Sequence, residues 1–174
     1  KKLVIPFLEK EYDLSSKSKT GMALNEAAVQ LMASLANKSV KDTVKYYNME
    51  FTTESPDFYP IETALIKQMI YFTGSYPLYH STLYSNDIFK NTFIAKSNEK
   101  AFNQIEKNFD KISDAEEKLI QTNSHLQKDD LNEKEIAKIS TQIGTYKKII
   151  QDTFIEIQNK IFTSYFDKSL NNLY

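Results

Sequence analysis

Hydrophobic and polar positions along this 174-residue chain recur, over most of its length, at the three-to-four-residue step of an amphipathic helix. From Met22 onward Leu24, Ala28, Leu31 and Leu35 keep that step among helix-favouring alanines, predicting a first helix that ends near Asn37. Ile61, Ala64, Leu65, Met69 and Phe72 line one face of a second helix. Pro60 suits its first position, where no ladder hydrogen is needed, and Gly74 offers a left-handed stop. Ile66, Ile70 and Tyr71 widen its apolar arc so far that this helix is expected at the centre of the fold, buried on most sides. Between the two, Val40, Val44, Tyr47 and Phe51 share one side of a short helix after Ser39 and Asp42, with strand as the competing reading because of the β-branched and tyrosine content.

The second half carries the most regular pattern. Phe102, Ile105, Phe109, Ile112, Leu119 and Leu126 alternate three- and four-residue steps, with Glu116 and Asn123 taking the missing core positions. After a link at 127–132, Ile136, Ile139, Ile143, Tyr146, Ile150 and Ile157 keep the same heptad phase, and Asp130 to Glu133 has capping-box spacing. Two long helices joined by so short a link must pack antiparallel. The helical pattern spans 87–166, with a break near Ser97-Asn98, and its last two arms form the hairpin. Phe109 and Ile143 are its expected core knobs. Residues 1–20 lack a helical period and read as a mobile arm, 75–86 as a serine- and tyrosine-rich connector with one helical turn from Pro77, and 165–174 as a weakly helical tail. The expected fold is all-α: one compact helical bundle of about five to seven helices, ending in a long antiparallel hairpin.

Composition narrows the chemistry. Apolar residues at 41% and charged residues at 26% place the chain among folded globules. All 22 basic residues are lysines, set against 23 acids for a net charge of −1, and no cluster of basic residues stands out. Without arginine forks or a basic patch, nucleic acid is a poor partner. The absence of cysteine removes disulfides, thiolate metal sites and thiol catalysis. No window approaches the roughly 18 to 20 apolar residues of a membrane span. Lys1 to Leu8 is too short and too soon charged to read as a signal peptide, though export stays open.

Three glycines, at 21, 74 and 144, cannot build a phosphate-cradling loop, and no zinc, calcium or nucleophile-elbow motif is present. No cofactor is expected. The aromatic residues are the feature that stands out: 12 of the 22 phenylalanines and tyrosines lie between Tyr46 and Phe93. Most are expected to fill a tryptophan-free core, but Tyr76, Tyr79, His80 and Tyr84 form a candidate ligand-binding group just after the most apolar helix. His80, with Asp87 seven residues on, is also the residue an acid–base enzyme would use. His125 reads as a helix-end base, and the acid pairs Glu116-Glu117 and Asp129-Asp130 read as solvated charge.

The arginine-free, lysine- and asparagine-rich helices are similar in composition to those of surface lipoproteins of AT-rich bacteria, across the C-terminal hairpin and without a specific motif. The leading functional expectation is a non-enzymatic interaction protein, an exported or surface-associated bacterial domain that binds another protein. The alternatives are a small-ligand or sensor bundle with an aromatic pocket around 76–84, and an enzyme using His80 as general base.

Overall fold

The structure is a computed structural model, and it describes residues 21–37, 42–126 and 131–171. Among these are six helices, α1 (Met22–Ala36), α2 (Pro60–Thr73), α3 (Ser75–Tyr84), α4 (Ile88–Lys96), α5 (Glu99–His125) and α6 (Glu133–Asn171), and one antiparallel hairpin of β1 (Asp42–Tyr46) and β2 (Met49–Thr53). The expected all-α bundle with a terminal helical hairpin is what forms. The N-terminal arm, Val40, Asp130 and most of the interhelical link lie outside the described residues.

One hydrophobic core joins all six helices: Leu24 and Leu31 of α1, Ile61, Leu65, Ile66 and Met69 of α2, Leu78 of α3, Phe89 and Phe93 of α4, Phe102 to Leu119 of α5 and Ile150 to Ile161 of α6. The face of α2 read from the sequence is buried, but Tyr71 points outward at 81% exposure. Gly74 ends α2 at φ 81, ψ 162, a region open to glycine and not the left-handed helical stop expected. Its amide still closes the helix on the Ile70 carbonyl at 2.8 Å.

Three elements depart from the sequence reading. The second short helix is a β-hairpin whose turn residues Tyr47 and Asn48 both have positive φ, 49° and 63°, as a two-residue turn of the I′ kind requires. Val44 faces Phe51 and Tyr46 faces Met49 across the ladder, so period-two packing against α2 overrides the helical spacing of Val44, Tyr47 and Phe51. The 75–86 connector is mostly helix, since Pro77 falls in the first turn of α3 where its missing hydrogen costs nothing. The chain beyond Tyr165 continues as helix to Asn171.

The first turn of α1 has no cap within its own sequence. Instead the Asp110 carboxylate of α5 accepts from the Gly21 amide at 2.7 Å and the Ala23 amide at 3.2 Å, satisfying two orphan donors from 87 to 89 residues away. Gly21 is required by its backbone, at a φ of 89°; a Cβ there would also meet the end of the Glu106 side chain at 2.5 Å, a flexible group that can move aside. At the start of α6, Asn132 and Glu135 make a reciprocal capping pair, at 2.9 and 3.0 Å, while the Asp130 to Glu133 spacing read from the sequence begins at a residue outside the described ones.

The hairpin is not uniformly packed. Phe102, Ile105, Phe109, Ile112 and Leu119 are buried, whereas no residue among 120–126 and 131–149 is fully so. Ile143 is half-buried at the margin of the core and Ile136 is 43% exposed, so packing thins along the distal arms of the hairpin.

Candidate functional site

The sequence-selected residues of α3 separate by face. Tyr76, His80 and Tyr84 fall four residues apart and form a ladder of rings, with centroids 5.5 Å from Tyr76 to His80 and 4.6 Å from His80 to Tyr84. Both tyrosines are largely exposed and His80 is half-buried, while Tyr79 turns toward the core and packs against it.

The partner of His80 is an amide. Asn86 Oδ1 accepts from the Ile88 amide at 3.2 Å and from the Ser81 hydroxyl at 3.3 Å, which turns Asn86 Nδ2 to His80 Nδ1 at 3.0 Å. Nδ1 is therefore the acceptor, leaving the ring proton on Nε2. Ser81 Oγ also accepts from the Phe89 amide at 2.7 Å. The network ties the α3–α4 corner, where Ser85 has a φ of 51°.

A second aromatic surface went unnoticed in the sequence. Where the C-terminal half of α2 meets α6, a groove of about 750 Å³ is lined by Gln68, Ile70, Tyr71, Phe72, Phe162 and Phe166, with Lys67 and Ser75 at its margin. Its floor is rigid: Phe72 stacks on Tyr165 at 4.1 Å and meets Phe162 edge-on at 5.4 Å. Its rim is exposed, with Phe166 at 54% alongside Tyr71, and Leu170 one turn beyond Phe166 is exposed as well. Lys67 is already paired with Glu54 at 3.1 Å, and the Gln68 amide oxygen is buried without a hydrogen-bond partner.

The third feature is polar and internal. Glu62, in the first turn of α2, is wholly buried, and its carboxyl lies within hydrogen-bonding reach of Glu116 on α5. Both oxygens of Glu62 and one of Glu116 lack a partner when both groups are carboxylates, which can only accept. Burial, reinforced by the neighbouring Glu62 charge, pushes Glu116 up to about 9. Burial raises Glu62 as well, opposed by its own backbone amide and by its bond to Glu116, and reinforced by Glu26 of α1. A helix N-terminus favours an anion by about 0.3 to 1 kcal/mol, whereas an unpaired buried carboxylate costs several, so protonation wins. Tyr59, just before α2, is pushed up to about 12 by burial and by Glu26, and Tyr47 at the hairpin turn is raised by burial, Tyr46 and the two acids.

Glu116 is thus not the solvated charge expected from the sequence. It does occupy the core position that its heptad phase assigned to it. Among the described residues no three histidine or carboxylate side chains converge to hold a metal ion, and no helix is long and apolar enough to cross a membrane. Comparison with known proteins returns no matching family model, no matching curated relative and no matching solved structure.

Proposed function

We propose that this protein is a non-enzymatic interaction protein whose α2–α6 groove binds one amphipathic helix of a partner protein. The observation that carries this reading is the pair of exposed rings, Tyr71 and Phe166, above an aromatic floor in which Phe162 is itself partly exposed. A groove between two packed helices is filled by the ridge of a third, and Phe162 and Phe166 stand one turn apart, the spacing of such a ridge. Because the rings stand at the rim and enclose no cavity, they suit a polypeptide better than a small molecule, which needs most of its surface buried.

The partner helix should present two or three bulky apolar side chains at three- or four-residue spacing and few acids, since Lys67 is already neutralised by Glu54. Covering these rings removes roughly 300 Å² of apolar surface on this side and a similar area on the partner, the scale of a weak, transient contact in the micromolar range.

Selection from a displayed library of amphipathic helical peptides tests the reading. Binders should carry that apolar spacing, lose at least tenfold in affinity against Phe166→Asp, and be indifferent to Tyr84→Ala. Binders insensitive to Phe166→Asp and Tyr71→Ala would overturn it. The ring ladder of Tyr76, His80 and Tyr84 favours a second reading, recognition of a small ligand along α3, for which binding would instead fail in His80→Ala with stability nearly unchanged.

A further inference from the structure

We infer that Glu62 and Glu116 form a two-carboxyl proton latch: the pair holds one shared proton in the folded core, and its release drives the first turn of α2 and the Tyr47–Asn48 turn away from α5. The latch is independent of the groove, which lies at the opposite end of α2.

The geometry leaves the pair few alternatives. Glu62 has no exposed surface, and neither of its oxygens has a partner as long as both acids are ionised. A single proton converts one oxygen into a donor and joins the two groups, which two carboxylates side by side cannot achieve. Among the described residues the groups that act on the pair supply no positive charge: Glu26 from α1, Tyr59 from the segment before α2, and Tyr47 from the β-hairpin. Among the described residues neither carboxyl has a salt-bridge partner on any helix, α6 included. A like-charged pair with no cation is stable only while protonated. The pair spans α2 and α5, and Tyr47 of the β-hairpin, which packs on α2, feels the charge of both acids.

The folded chain retains a proton that the unfolded chain gives up, so the folding equilibrium constant should fall about tenfold per pH unit between pH 5 and 8. In Glu62→Gln/Glu116→Gln, where both amides are permanently neutral, that dependence should vanish. Amide exchange, corrected for its intrinsic pH dependence, should show residues 44–51 and 60–66 opening more readily at pH 9 than at pH 6 in the native chain, and equally at both in the double variant. Side-chain carboxyl carbon resonances of ¹³C-glutamate read the same proton in the native chain, so the idea stays testable if the double variant does not fold. Glutamate resonances that all titrate below pH 5, or an undiminished pH dependence in the double variant, would overturn the latch.

Discussion

Truncating the hairpin seam at three heights should cost very different amounts of stability. The sequence presents Phe109 and Ile143 as equivalent core knobs, but Phe109 has no exposed surface while Ile143 is half-buried at the margin of the core. Removing a buried phenylalanine ring costs about 3 to 5 kcal/mol, through lost transfer energy and the cavity left behind. Ile143→Ala exposes surface that water already reaches in part and leaves a site able to relax, so about 1 to 2 kcal/mol is expected, below the usual range for a buried isoleucine. Ile136, 43% exposed in the distal arm, should cost about 1 kcal/mol or less.

Urea titrations of the three single variants and the native chain measure the series, with unchanged slopes required so that midpoint shifts report stability. For a chain of this size each kcal/mol moves Tm by about 2 to 4 °C, so Phe109→Ala should melt roughly 10 °C lower while Ile136→Ala stays within about 4 °C. Equal losses at all three positions would refute the gradient, and a loss below about 1 kcal/mol at Phe109 would show that the buried face has been misassigned.

Asp110→Asn keeps the shape of the remote cap but removes its charge, and should destabilise the protein by about 1 kcal/mol, with thermal melts checking the value and Asp114→Asn as the comparison. Stability should be greatest below pH 4.5 as far as Glu62 and Glu116 are concerned, because the folded state keeps their proton when the unfolded chain, titrating near 4.5, releases it. It should then fall by about 1.4 kcal/mol per unit as pH rises toward 9, and denaturant midpoints that climb over that interval would contradict the sign. Asn86→Ala should loosen the α3–α4 corner by about 1 to 2 kcal/mol while leaving the exposed tyrosines in place, as read by amide exchange over residues 80–90. On immobilised duplex DNA the chain should show no retention near physiological salt, because lysines matched by acids release few counterions.

The helices were legible because their apolar positions repeat over many turns, as in the run from Phe102 to Leu119. The β-hairpin was not, since Val44, Tyr47 and Phe51 also satisfy a helical step and the turn uses Tyr47-Asn48 without the glycine that usually marks it. Tyr76, His80 and Tyr84 were found as a group by composition, yet only three dimensions show that Tyr79 leaves their face and that His80 bonds to Asn86. The groove joins two segments 87 to 99 positions apart, so no local pattern could reveal it. The carboxyl pair left a trace: Glu62 interrupts the most apolar stretch and Glu116 sits at a heptad core position. An acid at a heptad core position and another inside the most apolar stretch were the signal, but nothing in the sequence says that they meet.

The proposed docking function is tested most directly by photo-crosslinking from three positions in the cells that make the protein. A benzophenone amino acid placed at Tyr71, in the groove, should capture a polypeptide whose cross-linked residues map to the apolar face of a single helix, and Phe166→Asp should abolish the adduct. The same probe at Tyr84, on the α3 ladder, or at Lys148, on the exposed face of α6, should capture nothing in common with it. Adducts that arise equally from all three positions, or that survive Phe166→Asp, would contradict a helix-binding groove between α2 and α6.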